Sequence, residues 1–384
     1  MHRVPALPSC GDTPAHRWAE NLLHALAHAF QADGYVRITS AHISGVSYWN
    51  LGETGLHFIE TLAETGARVC VPTTLNPCAF FPNTAPRWVS QEDIRNQARV
   101  LAAYEALGVI PTCTCAPYRR FPPPLFGEHA AWAESSAATF ANSVLGVRTE
   151  REGGPAALAA ALCGYVPFSG LHRTKNRRPT VAVRVLDPLV EPWRMGLLGA
   201  WVGRHFPGAV PLLVVPDEAP CTIEGFQALS AALVTYGGPA LFHVHERTPE
   251  GTGYTLPVQV EVHPNDLDAQ AAQLSDLENG PVDMVFLGCP HGSFALESVH
   301  WPTSSETRTQ LVIACAPTDV SELPDFCLPG GCPAVSVLPA NVHRVVTDSA
   351  KAAFYLRSRG LCVGLASTQE CIHVAMSGRW SHAH

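Results

Sequence analysis

Apolar runs and amphipathic stretches alternate along most of this 384-residue chain. The apolar runs are short and rich in β-branched residues, which is typical of buried strands, and the amphipathic stretches repeat with the period of a helix. This alternation predicts an α/β fold with several layers and mostly parallel sheets. The predicted strands are residues 35–43, 68–71, 181–185, 210–215, 240–244, 282–287, 310–314, 344–346 and 362–365. The predicted helices are residues 18–32, 55–65, 91–107, 127–145, 155–162, 193–204, 223–234, 264–277, 349–358 and 369–376.

The predicted helix 127–145 has an unusual polar face. With 100° between successive helical residues, Ser135, Thr139 and Asn142 lie on one side, and most of the alanines lie on the other. A helix face turned to water usually carries lysine and glutamate. This face therefore suits the wall of a polar pocket, with an ordinary amphipathic helix as the alternative. A cluster of charges, RTERE at 148–152, follows the predicted helix.

Charged residues make up only 15% of the chain, against about a quarter in an average protein. A low charged fraction leaves two explanations open: a large interface with a partner subunit, or an unusually large core. We expect no nucleic-acid partner, because the net charge is −8 and no basic run is longer than KNRR at 175–178.

The chain has no apolar stretch of the roughly 18–20 residues that a membrane span needs. Its first residues lack the apolar core of a signal peptide. We therefore expect a cytoplasmic protein with no membrane partner. The 13 cysteines are then expected to be reduced thiols, some of them metal ligands.

Several cysteines lie where an α/β sheet binds its ligands, beyond the carboxyl ends of strands. Cys289, Cys315 and Cys332 lie in or after strand-like runs, and Cys113 and Cys115 lie in the loop PTCTCAPY. No CxxC pair occurs, so the pattern does not support a zinc ribbon or a ferredoxin-type site. Three thiolates from distant loops suit an iron–sulfur cluster with one open iron. The alternative for each single cysteine is a small apolar core residue.

Two other predicted strand ends carry hydroxyl, amide and imidazole groups, the imidazole being that of His42, and Glu134 is expected to line the pocket with its neighbour Ser135. Ser44 and Ser47 follow the first predicted strand, and Thr73, Thr74 and Asn76 follow the second. Such groups orient polar ligands by hydrogen bonds. A capped turn before a helix is the alternative.

Lys351 lies in the first turn of the predicted helix 349–358, which Asp348 or Ser349 caps. The helix dipole disfavours a cation at that position. The placement therefore favours contact between Lys351 and an anion, and a solvated surface lysine is the alternative.

A series of segments resembles, in the same order, the catalytic large part of aconitase X, a branch of the aconitase superfamily. The resemblance extends over roughly residues 36–375. The matching segments are SAHISGVSYWNLGETGL, GARVCVPTTLNP, TCAPY, GEHAAWAESSAATFANSVLG, REGGPAALAAAL, RTPEG, FLGCPH, GGCPAVS and VVTDSAKAAFY.

The resemblance implies a hydro-lyase with an iron–sulfur cluster that dehydrates a small hydroxy acid. Family members act on cis-3-hydroxy-L-proline in bacteria and on mevalonate 5-phosphate in archaea. The family also has a small swivelling domain, either fused or separate. Because no such module is visible here, a small partner subunit is expected. The implied cluster ligands are Cys115, Cys289 and Cys332, and the cluster type, [2Fe-2S] or [4Fe-4S], stays open.

Dehydration of a hydroxy acid needs a Lewis acid on the leaving hydroxyl, a base for the proton, and a clamp on the carboxylate. The resemblance leaves open whether the base belongs to this chain or to the small partner. The candidate catalytic residues are Glu128, His129, Ser135 and Lys351. The candidate substrate-binding residues are Ser44, Ser47, Thr73, Thr74, Asn76, Arg148 and Arg151.

Two residues depart from the family pattern. Glu150 stands where the family often has asparagine, and Glu246 stands where glycine is common. The extra carboxylate at 150 predicts an altered substrate. Two competing classes stay open, a non-catalytic paralogue that binds a ligand or partner, and a zinc hydrolase.

The resemblance and the length together predict an aconitase-superfamily-like fold, with multiple α/β layers and mostly parallel sheets around a central cleft. Candidate boundaries lie in the polar segment 168–179 and near 278–281. The predicted parts are an N-terminal lead-in at 1–33, an α/β domain with substrate and cluster loops at 34–175, an α/β domain at 176–280, and an α/β domain with two cluster cysteines at 281–384.

Overall fold

The computed structural model describes residues 6–85, 89–254, 256–291, 308–317, 328–330, 338 and 341–381. The chain divides into two compact units. The first unit is Met1–Arg178 together with Thr248–Glu250, and the second unit is Pro179–Arg247 together with Gly251–His384. Each unit is a mixed α/β structure with its own sheets, as the sequence pattern predicts.

The first unit places helices around one small parallel sheet. Its elements are α1 (Pro14–Ala29), β1 (Tyr35–Arg37), β2 (Ser40–Ile43), α2 (Tyr48–Glu64), β3 (Thr73–Leu75), α3 (Gln91–Ala106), α4 (Pro117–Arg120), β4 (Ala130–Trp132), α5 (Ser135–Phe140), α6 (Gly154–Cys163) and β5 (Tyr165–Pro167). The parallel sheet has the order β3-β2-β4, and β1 pairs with β5 in an antiparallel ribbon.

The sheet β3-β2-β4 has one apolar face and one polar face. Side chains alternate along a strand, so Ala41 and Ile43 of β2 lie in the apolar core. His42 lies on the opposite face, where Thr74 and Trp132 are its partners in register. Both faces are buried, which places polar side chains inside the protein.

The second unit contains two larger parallel sheets. Its elements are β6 (Val181–Val185), α7 (Pro192–His205), β7 (Pro211–Val214), α8 (Ile223–Thr235), β8 (His243–Val244), β9 (Val260–Val262), α9 (Pro264–Leu274), β10 (Gly280–Pro281), β11 (Met284–Leu287), β12 (Gln310–Ala314), β13 (Leu328–Gly330), β14 (Arg344–Thr347), α10 (Ala350–Ser358), β15 (Cys362–Leu365), α11 (Thr368–Ser377) and β16 (Arg379–Trp380). The parallel sheets have the orders β8-β7-β6-β9 and β13-β12-β11-β14-β15, and β10 pairs with β16.

The strand order of the five-stranded sheet reverses at β11. The chain runs outward from β11 through β12 to β13, and it then returns to the other side of β11 with β14 and β15. The chain therefore continues from β11 and from β14 toward opposite sides of the sheet. Open α/β sheets bind their ligands in the crevice at the carboxyl ends of two such strands.

The helix predicted for residues 127–145 is wrong in its first half. The alanine-rich run at 130–132 forms β4 and pairs with β2, and helical structure begins only at Ser135. Alanine favours a helix in isolation, but pairing with a buried strand overrides that preference. The polar residues of the predicted face, among them Thr139 and Asn142, are buried.

Among the predicted strands, three have the observed bounds and two do not correspond to single strands. The run 35–43 divides into β1 and β2, which belong to different sheets, and the run 68–71 is not a strand because pairing begins at Thr73. The predictions for β6, β12 and β15 match the observed bounds residue for residue.

Cys10 and Cys163 form a disulfide, contrary to the expectation that all cysteines are reduced. The bond joins the segment before α1 to the end of α6, and these two helices pack against each other. The cytoplasmic location stays a prediction. Among the described residues, none of the helices has both the length and the apolar character required to cross a membrane.

Candidate active site

The carboxyl edge of sheet β3-β2-β4 is held together by backbone hydrogen bonds between the loops that leave it. The Asn76 N–H donates to the Ile43 carbonyl at 2.8 Å, and the Ala133 N–H donates to the His42 carbonyl at 2.8 Å. The Thr114 N–H donates to Leu75 at 3.0 Å. Polar residues from four segments therefore lie at one edge.

His42 lies within this edge and is completely buried. Its Nδ1 atom is 2.8 Å from the Thr74 hydroxyl, which holds the ring in place. Burial lowers the pKa of His42 to about 4, although the nearby Glu134 carboxylate and Asn76 act in the opposite direction. The imidazole is therefore neutral at pH 7.

Three buried polar atoms at this edge form no well-aligned hydrogen bond with a described residue, although Asn76 lies close enough to His42 to act on its pKa. They are His42 Nε2, Ser47 Oγ and Asn76 Oδ1. Ser47 precedes α2, but its hydroxyl forms no capping hydrogen bond, and the Gln97 side chain accepts from the backbone N–H of Tyr48. Native proteins satisfy the great majority of buried polar groups, so this group of atoms indicates a polar ligand.

The other predicted substrate-binding residues of this edge have structural partners. The Thr73 hydroxyl donates to the Val71 carbonyl at 2.8 Å, within the strand itself. Ser44 contacts the start of α6, where a Cβ added to Gly154 would lie 2.3 Å from the Ser44 carbonyl oxygen. A glycine is therefore required at position 154 for the loop after β2 to approach α6.

Arg151 lies at the same end of β4. Residues Trp132 and Arg151 form a parallel bridge, and the Glu152 N–H donates to the Trp132 carbonyl at 3.2 Å. The side chains of Arg151 and Glu152 line a cavity of about 610 Å³. The Arg151 side chain is exposed, and its charge acts on the neighbouring Glu150 carboxylate, so an anion that binds its guanidinium competes with Glu150.

The structure places Glu128, His129 and Arg148 at the opposite, amino edge of the sheet. The Glu128 carboxylate accepts from the Thr39 hydroxyl at 3.2 Å. The Arg148 guanidinium donates to the Thr174 hydroxyl at 2.7 Å and to the His172 carbonyl at 3.2 Å. These residues precede β4 or lie beside its start, so they are not brought together with Ser135 and Arg151.

His129 pairs with a second histidine at that edge. Its Nδ1 atom is 2.9 Å from Nδ1 of His172. Burial and the charges of Arg148 and Arg177 lower the pKa of His129, and burial lowers the pKa of His172 to about 3. Both rings are therefore neutral near pH 7.

Ser135 follows β4 and begins α5. The residue before it, Glu134, caps this helix by accepting from the Ala137 N–H at 2.6 Å. Ser135 is half-buried, and its hydroxyl is 3.5 Å from the Glu134 carboxylate. Ser135 therefore lies at the carboxyl edge, as a candidate site residue should.

In the second unit, Cys289 lies at the point where the strand order reverses. The Ser349 hydroxyl donates to the Cys289 carbonyl at 2.6 Å, and the Gly288 N–H donates to Asp348 at 2.9 Å. Asp348 also accepts from Thr368 at 2.8 Å, and burial raises the pKa of its carboxyl group. Cys289 lines a small cavity of about 60 Å³ with these residues.

Lys351 is buried in the first turn of α10, with 6% of its surface exposed. This burial excludes the alternative of a solvated surface lysine. A buried ammonium group requires a polar or anionic partner.

The three predicted cluster ligands are not all within the described residues. Cys115 and Cys289 are buried free thiols of the first and second unit, and Cys332 lies outside the described part of the chain. Cys113 lies against Cys78, and the contact with Cys113 together with burial raises the Cys78 pKa well above its usual value. Among the residues with described positions, no three histidine, cysteine or acidic side chains meet as a metal site.

The structure brings His42, Glu134 and Glu152 to the carboxyl edge as well. The sequence predicts the first two, since the His42 imidazole lies at the end of the first predicted strand and Glu134 is expected in the wall of the pocket. Glu152 has no predicted role, because its place beside the end of β4 depends on tertiary pairing.

Comparisons with known proteins agree with this architecture. Residues 9–175 match the family model of the aconitase X first domain, and residues 179–277 match that of the aconitase X second domain. The crystal structure of Thermococcus kodakaraensis aconitase X in its holo-form resembles this chain with a TM-score of 0.81 and 32% sequence identity, over 94% of this chain and 95% of that one.

Two curated relatives are similar over most of this chain. The phosphomevalonate dehydratase large subunit of Thermococcus kodakarensis is 35% identical, over 93% of this chain and 94% of that protein. The cis-3-hydroxy-L-proline dehydratase of Hypocrea jecorina is 31% identical, over 89% of this chain and 63% of that protein. Both names describe dehydratases, which are hydro-lyases.

These similarities confirm the resemblance noted in the sequence segments, together with the α/β fold that it implied. They also confirm the predicted enzyme class. The chain belongs to the aconitase X family, and it is a dehydratase.

Proposed function

We propose that this chain is the large subunit of an iron–sulfur-dependent hydro-lyase that removes water from cis-3-hydroxy-L-proline. The observation that carries the proposal is the group of buried polar atoms that form no well-aligned hydrogen bond with a described residue, His42 Nε2, Ser47 Oγ and Asn76 Oδ1. A hydroxyl, an amide oxygen and a neutral imidazole together suit the hydroxyl and carboxylate groups of a small hydroxy acid.

The cofactor proposal rests on the chemistry of the cysteines. Cys115 and Cys289 are buried free thiols, Cys289 lines a cavity, and Cys332 completes the proposed ligand set. The thiol chemistry of these three cysteines suits a [2Fe-2S] or [4Fe-4S] cluster with one iron open. When bound, the cluster supplies a Lewis acid for the leaving hydroxyl.

The chain's own residues bind and orient the substrate in this proposal. Thr74 fixes the His42 ring, so that Nε2 is available to a polar group of the substrate. Arg151, whose side chain is exposed, pairs with the carboxylate. We assign proton removal to a small swivelling-domain subunit, because burial lowers the pKa of His42 to about 4 and so makes its imidazole a weak base.

The alternative substrate is mevalonate 5-phosphate. One observation favours it: similarity extends over 94% of the Thermococcus phosphomevalonate dehydratase large subunit, but over 63% of the Hypocrea hydroxyproline enzyme.

The experiment is co-expression with a small subunit, anaerobic reconstitution with iron and sulfide, and assay of water loss from both substrates. We expect a brown protein that dehydrates cis-3-hydroxy-L-proline. Cys115→Ser and Cys289→Ser should lose iron, whereas Cys362→Ser, at an exposed free cysteine, should retain it. An iron-loaded complex that dehydrates neither compound would refute the proposal.

A further inference from the structure

The turn after β11 holds Cys289 in an unusual backbone conformation. The φ angle of Cys289 is 72°, in the left-handed region that favours glycine, and the preceding Gly288 has a φ of 107°. Gly288 and His291 form an antiparallel bridge, so residues 288–291 make one tight turn. A residue other than glycine stays in this region only where its surroundings hold it there, and such residues cluster at functional sites.

The Ser349 hydroxyl forms one of the contacts that hold this turn. It donates to the Cys289 carbonyl at 2.6 Å, and the same oxygen accepts from the Ala352 N–H at 3.1 Å as the N-cap of α10. A serine hydroxyl has one proton to donate and two lone pairs, so both bonds form together. The start of α10 and the Cys289 backbone are therefore joined through a single side chain.

The Asp348 carboxylate holds the turn at the residue before Cys289. One of its oxygens accepts from the Gly288 N–H at 2.9 Å, and the other accepts from the Thr368 hydroxyl at 2.8 Å. A buried carboxylate is costly unless it is hydrogen-bonded. Because each oxygen already has a partner in the protein, Asp348 suits the positioning of the turn better than chemistry on a substrate.

These contacts converge from the carboxyl ends of three neighbouring strands. Cys289 follows β11, Asp348 and Ser349 follow β14, and Thr368 follows β15, and the three strands are adjacent in the order β11-β14-β15. The same residues line the cavity of about 60 Å³. Two neighbouring loops therefore fix the Cys289 backbone at the wall of this cavity.

We propose that Ser349 and Asp348 are positioning residues, which hold Cys289 in its left-handed conformation so that its thiol is ready to bind the iron–sulfur cluster. The inference rests on the proposed function, because that function makes Cys289 a cluster ligand. Groups that orient metal ligands typically strengthen metal binding by roughly 10–100-fold. Loss of the Ser349 contact should therefore free the turn first and weaken iron binding as a consequence.

The first measurement needs no cluster. The full chain is co-expressed with the small subunit and freed of iron by chelation, and mass spectrometry follows the alkylation of individual cysteines by iodoacetamide. Cys289 is buried, so it reacts when the turn opens, and loss of one hydrogen bond in Ser349→Ala should raise its rate by about tenfold. Cys315 is a buried free cysteine of the same unit, and its unchanged rate would show that the fold is intact.

Two controls separate the contact with Cys289 from the capping of α10. Ser349→Thr keeps the hydroxyl, so the Cys289 rate should stay at the wild-type value. Thr222→Ala removes the exposed N-cap of α8 in the same unit, and it should also leave the Cys289 rate unchanged.

The second measurement is the rate at which a chelator removes iron from the reconstituted complex, followed by visible absorbance. Ser349→Ala should accelerate iron release by about tenfold, and Ser349→Thr should restore the wild-type rate. If Ser349→Ala does not fold, Thr368→Val removes one partner of Asp348 and decides instead. It should raise the Cys289 alkylation rate by about threefold.

An unchanged Cys289 rate in the variant that folds would overturn the inference, as would equal acceleration at Cys289 and Cys315. Iron release at the wild-type rate from Ser349→Ala would overturn it as well. A wild-type complex that binds no iron would instead count against the proposed function. The alkylation rates would still test the positioning of Cys289, because they are measured without a cluster.

Discussion

Replacing Glu250 by glutamine should destabilise the first unit, because it removes the hydrogen-bonded counter-charge of a buried guanidinium. Arg177 is completely buried, and its Nη2 atom is 2.6 Å from the Glu250 carboxylate. Nη1 and Nη2 also donate to the side chain and the carbonyl of Asn142, at 2.8 and 2.9 Å. The ion pair thus holds the segment Thr248–Glu250 in the first unit, although this segment is distant in sequence from the rest of that unit.

The size of the effect follows from the geometry. At a separation near 2.7 Å and an effective dielectric constant of about 20, the attraction between Arg177 and Glu250 is about 6 kcal/mol. Glutamine keeps the shape and one acceptor, and it avoids the cost of burying the Glu250 charge. We therefore expect a loss of about 3 kcal/mol in the unfolding free energy of this unit, at the lower end for broken buried pairs.

The assay is urea unfolding followed by hydrogen exchange, which reports on each unit separately. With an m-value of roughly 2–3 kcal/mol/M, the midpoint of the first unit should fall by about 1 M. The exchange of the Thr149 amide should also accelerate, because the Asn142 side chain accepts from it at 3.1 Å.

The matched control is Glu261→Gln. Glu261 pairs with Arg184 at 3.3 Å, but both side chains are about half exposed. An exposed pair contributes roughly 0.2–1 kcal/mol, so this control should have little effect. Equal effects of the two substitutions, or a loss below about 1 kcal/mol in unfolding free energy for Glu250→Gln, would show that Glu250 does not stabilise the buried Arg177 charge.

Three further outcomes are expected. The pKa of Glu152 is about 7 in the folded protein, against its usual 4.5, so the free energy of unfolding is highest below pH 4.5 and falls as the pH rises toward 7. In urea unfolding, the stability of Glu152→Gln should equal that of the wild type at pH 4. At pH 8 it should exceed that of the wild type by up to about 3 kcal/mol. Reduction of the Cys10–Cys163 bond, which spans 153 residues, should cost about 2–5 kcal/mol in thermal unfolding, and Cys10→Ser should abolish the effect of reductant. Gly154→Ala should lower the free energy of unfolding by about 1–3 kcal/mol and raise KM, because the added Cβ would displace the Ser44 carbonyl. The control Gly153→Ala should fold normally, because the space around its Cβ is open.

The alternation of short apolar runs with amphipathic stretches was sufficient to predict most of the second unit. Strands β6, β12 and β15 have the predicted bounds because each is a short, mostly apolar run that pairs in a parallel sheet. The first unit was predicted less well. The run AAW at 130–132 has no β-branched residue and two alanines, so its pairing with β2 rather than its local sequence makes it a strand.

The candidate site divides in the same way. The sequence by itself identified the family, the enzyme class, and the loops that carry Ser44, Asn76 and Cys289, because strand ends are local features of a sequence. Tertiary structure decided which of the candidates share an edge, because β4 separates Glu128 from Ser135 by the length of a strand. It also decided the charge states of His42 and Glu152, since burial and neighbouring charges set a pKa and neither is written in the order of residues.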